Sequence, residues 1–139
     1  MSKIIVISVK PEFADLIFEG SKKIELRKSS PNAQPGDLMI IYSTSPEMAV
    51  VGICMIKEVI KSTPDDIWLN HSEILGIDEK RFNEYYSETD KAVGIVLSSV
   101  RRFKSKMPLK KVKEIFPSFT PPQTFKYFNK NFVIESIKT

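Results

Sequence analysis

The chain has 139 residues, 42% of them hydrophobic, with nine Phe, four Tyr and one Trp, and carries a formal net charge of +4. That supports a single domain over residues 1–139 with its own core and excludes a disordered polyelectrolyte. One cysteine, Cys54, and one histidine, His71, exclude a disulfide framework and a zinc site built from several Cys or His ligands.

The first residues, Met1-Ser2-Lys3-Ile4-Ile5-Val6-Ile7, lack the long apolar region of a signal peptide. No stretch approaches the roughly 20 apolar residues that span a bilayer. The expectation is a cytoplasmic protein with no membrane contact.

Ile4 to Val9 is β-branched and reads as a buried strand. Pro11 suits the first turn of a helix, Glu12 and Asp15 sit near its positive end, and Gly20 is a C-terminal stop. Lys22 to Lys28 alternates as a strand, with Lys23, Glu25 and Arg27 on one face and Lys22 at the turn before it. Ser29 to Gly36 is a loop, and Leu38 to Tyr42 is a strand ending in the turn Ser43-Thr44-Ser45-Pro46-Glu47. Met48 to Ile60 is a long apolar strand that bends at Gly52. Thr63-Pro64-Asp65-Asp66 starts a helix running towards Leu75-Gly76, and Asp78 caps another carrying Phe82, Tyr85 and Tyr86. Ala92 to Val100 is a strand, Pro108 to Phe116 a short helix, Thr120 to Phe125 a rigid loop, and Asn131 to Ile137 a final strand. The pattern is α+β, with about six strands and short connections that favour a small, strongly curved sheet or barrel.

Charge is unevenly placed. Residues 58–90 hold three Lys/Arg against nine Asp/Glu, a net of −6, whereas residues 91–139 hold eleven against two, a net of +9. A basic C-terminal third suits a polyanion such as nucleic acid, or it is a solvated surface balanced by the acidic region. Within it, Arg101-Arg102-Phe103-Lys104-Ser105-Lys106 reads as a phosphate-contacting strip or a solvated strand end.

The strand face of Lys23, Glu25 and Arg27 has two readings. It is exposed and indifferent, or it lines a cleft where the charges pair and meet a ligand, because unpaired burial costs several kcal/mol per charge. Arg grips phosphate or a base edge in a bidentate way, and a desolvated Lys can act as a base. Cys54 reads as core and His71 as surface; Trp68, Phe82, Tyr85 and Tyr86 could stack bases, but their helical spacing favours packing onto the barrel. No P-loop or G-x-G-x-x-G is present, so no cofactor is expected.

Ile7-Ser8-Val9-Lys10-Pro11-Glu12-Phe13 followed by Gly20-Ser21-Lys22-Lys23-Ile24-Glu25-Leu26-Arg27 resembles the start of ASCH domains, members of the PUA-like superfamily. The likeness continues in order through Gly36-Asp37, Ile41 to Pro46, Val50-Val51-Gly52, Pro64 to Trp68 and Pro121 to Phe125. It implies a PUA-like β-barrel of five to six strands with surrounding helices, and an RNA or a modified nucleotide as partner. The resemblance places Lys10, Lys22, Glu25 and Arg27 in a cleft, joined by Tyr42, Ser43 and Ser45 and, from the late loop, by Gln123 and Thr124. Some ASCH-like proteins are amidohydrolases of acylated cytidines that use a Lys and a Thr three residues later. Lys22 matches that lysine, but Glu25 stands at the threonine position and cannot be the same hydroxyl nucleophile. Recognition is therefore favoured over catalysis, in which Lys22 and Glu25 would act. A third possibility is a transcription-associated adaptor without a small ligand, which predicts an open polar face around Lys22–Lys28.

Overall fold

Residues 3–129 are described by the structure, a computed structural model. The strand expected at Asn131–Ile137 lies outside the described residues.

Strand β1 (Lys3–Val9) leads through Lys10 into helix α1 (Pro11–Glu19), with Pro11 in the first turn as the sequence predicts. Gly20 closes α1 in the left-handed conformation (φ 93°), and the Gly20 and Ser21 amides donate to the Ile17 and Leu16 carbonyls. The short β2 (Ile24–Arg27) follows, then β3 (Leu38–Ser43) and the long β4 (Ala49–Ser62). Thr63 caps α2 (Pro64–His71) by accepting from the Asp66 amide, and Asp78 caps α3 (Glu79–Tyr85) by accepting from the Arg81 amide. Between these helices, a single 3-10 turn at Ser72–Ile74 carries the chain to Gly76. Then come β5 (Ala92–Pro108), α4 (Leu109–Ile115) and β6 (Phe125–Asn129).

The six strands form one mixed sheet in the order β2-β5-β4-β3-β1-β6. Only β1 and β3 run parallel; every other neighbouring pair is antiparallel. The expected α+β class holds, but the barrel does not close: β2 and β6 are its two edges among the described residues. β2 is only four residues long and β6 five, so neither supplies a ladder that could zip the ends together. The curvature comes from irregular pairing, with three register shifts between β4 and β5 and one between β3 and β4. Those shifts also carry β5 eight residues past Val100, so the Arg101–Lys106 run is strand and not a strand end.

Three apolar clusters fix the layers. Ile5, Ile7, Ile41, Ile56 and Ile95 form the central core, sealed by Ala14 and Ile17 of α1. Full burial of each Ile contributes roughly 1.5–3 kcal/mol. Ile24 and Leu26 of β2 pack with Ile67, Leu75, Phe82 and Tyr86, which anchors α2 and α3 over one end of the sheet. Val6, Tyr42 and Val50 meet Val112 and Phe119 in a third cluster under α4.

Candidate functional site

The segment after Gly20 is bent so that Lys22 does not sit at the surface. Its amide donates to the Leu16 carbonyl, the Lys23 amide donates to Ile74, and the Leu97 amide donates to Lys23. These bonds tie the residues before β2 to α1, to the 3-10 turn and to β5 at once. Lys22 is 3% exposed, Glu25 is 7% exposed, and Lys23 points to solvent. The strict alternation expected of Lys22–Lys28 therefore fails at its start, where Lys22, and not Lys23, joins Glu25 and Arg27. The reason is the turn: Lys22 and Lys23 precede β2 and are held by three different elements instead of by a ladder.

Arg27 donates to Glu25 Oε2 through both Nε (3.1 Å) and Nη2 (2.8 Å). The same Nη2 donates to the Ser8 carbonyl at 2.6 Å. The β1–β6 register ends at Ile7 and Phe125, so the Ser8 carbonyl on that edge has no strand partner and Arg27 takes it. Arg27 thus stitches β2 to β1 across the open seam of the sheet, with its guanidinium 5.7 Å from the Phe125 ring centroid. Lys22 Nζ donates to the Leu75 carbonyl (2.6 Å), lies 3.9 Å from Glu25 Oε1, and sits 5.1 Å from the Phe13 ring centroid. Burial draws the Lys22 ammonium below the ordinary lysine value of 10.5; Glu25 offsets part of that lowering and Arg27 adds to it.

These groups open into a cavity of about 230 Å³ lined by Ser8, Val9, Lys10, Phe13, Lys22, Glu25, Leu26, Arg27, Ile77 and Tyr85. One side is ionic and the other apolar, and the trio Lys22–Glu25–Arg27 leaves one positive charge in excess. Such a pocket can hold a flat apolar group against Phe13, Ile77 and Tyr85 while an anion meets the cations. The convergence of Lys22, Glu25 and Arg27 in one cavity also runs against the open polar face that an adaptor reading requires.

Four of the nine residues singled out in the sequence share this cavity: Lys10, Lys22, Glu25 and Arg27. Tyr42 instead faces the opposite side of the sheet, 2% exposed, with its ring 6.4 Å from Phe119. Adjacent Ser43 faces the other way and is fully buried, and its hydroxyl has no hydrogen-bond partner among the described residues. Ser45 is exposed in the turn after β3. Gln123 and Thr124 are exposed beside Pro122, whose carbonyl accepts from Ser8 Oγ at 2.7 Å. The late loop is therefore fastened next to Arg27 without lining the cavity.

Sequence reasoning did not place Ser8, Val9, Phe13, Leu26, Ile77 or Tyr85 in the pocket. For Tyr85 a signal existed: consecutive residues on a helix point about 100° apart, so Tyr85 and Tyr86 cannot both face one core. Tyr86 is the buried one, donating to the Arg27 carbonyl at 3.0 Å. Cys54 is core as expected, its thiol pushed up to about 12 by burial, which leaves it inert as a nucleophile. Among the described residues no group of three His, Cys, Asp or Glu converges as a metal site, and no helix is long and apolar enough to cross a membrane.

Known proteins resemble the chain at the level of both sequence and fold. An ASCH domain-containing ribonuclease from Zymomonas mobilis subsp. mobilis is 28% identical over 125 residues, spanning 90% of this chain and 84% of that protein. The crystal structure of ASCH from Zymomonas mobilis superposes with a TM-score of 0.90 at 26% identity, covering 97% of this chain and 94% of that one. A more partial likeness, 26% over 101 residues, is to the large ribosomal subunit protein uL22 of Ureaplasma parvum. It takes in 73% of this chain, which spans about a third (32%) of that protein's length. The ASCH domain profile matches residues 7–107, from the end of β1 to the end of β5. The chain belongs to the ASCH domain family.

Proposed function

We propose that this chain binds RNA, with one nucleotide seated in the cavity between α1, β2 and α3. The observation that carries this is the buried Lys22–Glu25–Arg27 trio with its single excess positive charge, opening into a cavity whose other wall is apolar. A nucleotide offers what each wall lacks: an anionic phosphate and a flat base. Lys10 at the rim adds a third cation, and Gln123 and Thr124 extend the contact surface from the loop fastened to Ser8. The ribonuclease relative and the basic C-terminal third agree with an RNA partner.

A second reading, RNA cleavage, is favoured by that relative and by Lys22. Burial lowers the pKa of Lys22, so it gives up its proton more readily than a free lysine, and in its neutral form it can accept the proton of a ribose 2′-hydroxyl. The 2′-oxygen then attacks the adjacent phosphorus, the bond to the 5′-oxygen breaks, and the departing 5′-oxygen takes a proton from solvent water. Arg27 and Lys10 would stabilise the charge that builds on the phosphate. Deacylation of a modified cytidine needs a different base and nucleophile, with Glu25 already engaged twice by Arg27.

A salt-titrated anisotropy assay with a labelled RNA oligonucleotide tests the binding reading, since phosphate contacts are strongest at low salt. Saturable binding that weakens in Arg27→Ala is expected; no binding by the wild type at low salt overturns it. The same samples run on a denaturing gel, beside an N4-acylcytidine incubation, separate cleavage from deacylation. Cleavage that survives Lys22→Met undiminished removes Lys22 as the base.

A further inference from the structure

Resting on the RNA-binding reading, we propose that Tyr85 is the base-stacking platform of the cavity, and that Lys28 takes the phosphate beside the stacked base. Of the two aromatic rings lining the cavity, Phe13 is already committed. Lys22 Nζ lies 5.1 Å and the Arg81 guanidinium 4.9 Å from its centroid, and Arg81 is held there by a two-point ion pair to Glu12. Trp68, Phe82 and Tyr86 belong to the packed cluster behind the cavity. Among the described residues, Tyr85 alone combines an aromatic place in the cavity wall with exposure, the residue being 37% accessible.

The ring is held in place. It packs edge-on against Tyr86, with centroids 4.7 Å apart and planes at 71°. Tyr86 in turn is buried and bonded to the Arg27 carbonyl, so the platform is braced by the strand that carries the ionic wall. What covers the Tyr85 ring is Lys28 Nζ, 4.8 Å from its centroid. Lys28 is exposed and has no acidic partner among the described residues, so a base can displace it from the ring at small cost. The displaced ammonium then lies beside the nucleotide's own phosphate. A base on Tyr85 shares the cavity with Glu25 and Arg27, so the ionic wall takes the phosphate on the other side of its sugar from Lys28.

Stacking of this kind is tolerant of base identity, because every base presents a π-face. The test uses anisotropy of labelled oligouridine, oligoadenosine and an abasic oligoribonucleotide over a salt series. Tyr85→Ala is expected to weaken both base-bearing RNAs by roughly 5- to 150-fold. It should leave the slope of log affinity against log salt unchanged, because no charge is removed. Tyr85→Phe should restore wild-type affinity, and the abasic strand should bind weakly and be indifferent to Tyr85→Ala. Lys28→Ala should reduce the salt slope by about 0.7. Abasic RNA that binds the wild type as tightly as oligouridine overturns the platform, even should Tyr85→Ala fail to fold. A folded Tyr85→Ala protein with undiminished affinity overturns it too, and an unchanged salt slope in Lys28→Ala overturns the phosphate role. All of these differ from the wild type failing to bind any RNA, which would refute the underlying reading.

Discussion

Glu25→Gln keeps the shape of the side chain and removes the carboxylate charge of the cavity. Lys22 and Arg27 are then left buried with carbonyl partners, Leu75 and Ser8, but no counter-charge. Removing one partner of a buried ion pair costs about 3–5 kcal/mol. Lys22 sets a ceiling on its own share, because it can release its proton. From its ordinary value of 10.5, deprotonation at pH 7 costs at most about 5 kcal/mol, at 1.36 kcal/mol per pH unit. At pH 9.5 the same ceiling is about 1.4 kcal/mol. Arg27 stays charged throughout, so its share does not change with pH. The expected result is a loss of about 3 kcal/mol in unfolding free energy at pH 7 and a smaller loss at pH 9.5. Urea denaturation at the two pH values, with the slope m checked for constancy, measures it. A loss below about 1 kcal/mol at pH 7, or an equal loss at both pH values, would show that water already screens the trio.

Two further outcomes follow from the same geometry. Lys22 is held below its unfolded pKa, so the unfolded chain binds the extra proton; this group therefore raises stability as pH climbs from its folded value towards 10.5. Stability curves measured across that window should rise for the wild type and flatten in Lys22→Met, and identical slopes would contradict the burial argument. Gly76 adopts φ +65°, and a Cβ there would lie 2.6 Å from Lys22 Cβ and 2.9 Å from its Cγ. Gly76→Ala should lose about 1–3 kcal/mol by thermal melting, from the strained backbone and the displaced lysine stem, and should weaken RNA binding as well. Unaltered affinity in that variant would mean that Lys22 does not need its present position.

Local chemistry made the helices and most strands legible in the sequence. Thr63, Asp78 and Gly20 cap as their types dictate, and the β-branched runs of β1, β3 and β4 form strands where they stand. What escaped was set by distant partners. Whether a curved six-stranded sheet closes depends on the lengths of β2 and β6, and boundaries are the least readable property of a short strand. The extension of β5 through Arg101–Lys106 depends on bulges in its pairing with β4, which no single-strand pattern encodes. Lys22 is buried because Leu16, Ile74 and Leu75 supply its surroundings, one from α1 and two from a turn some fifty residues away. The family resemblance places Tyr42 in the cleft, yet strand alternation sends it to the far face to meet Phe119.

The placement of Arg27 explains why one polar octapeptide, Gly20 to Arg27, can both close the structure and form a site. An open sheet leaves carbonyls unpaired at its seam, and a buried unpaired carbonyl costs about 1–3 kcal/mol. Arg27 satisfies the Ser8 carbonyl with the same nitrogen that holds Glu25, and stacks on Phe125 at the first residue of β6. A neutral donor could have done the first task alone. An arginine does it while bringing a permanent charge into a cavity that already contains Lys22, and Glu25 cancels only one of the two. A residue chosen for the seam alone would not leave the cavity positively charged. The seam explains why the arginine is there, and the uncancelled charge is what the proposed phosphate contact draws on.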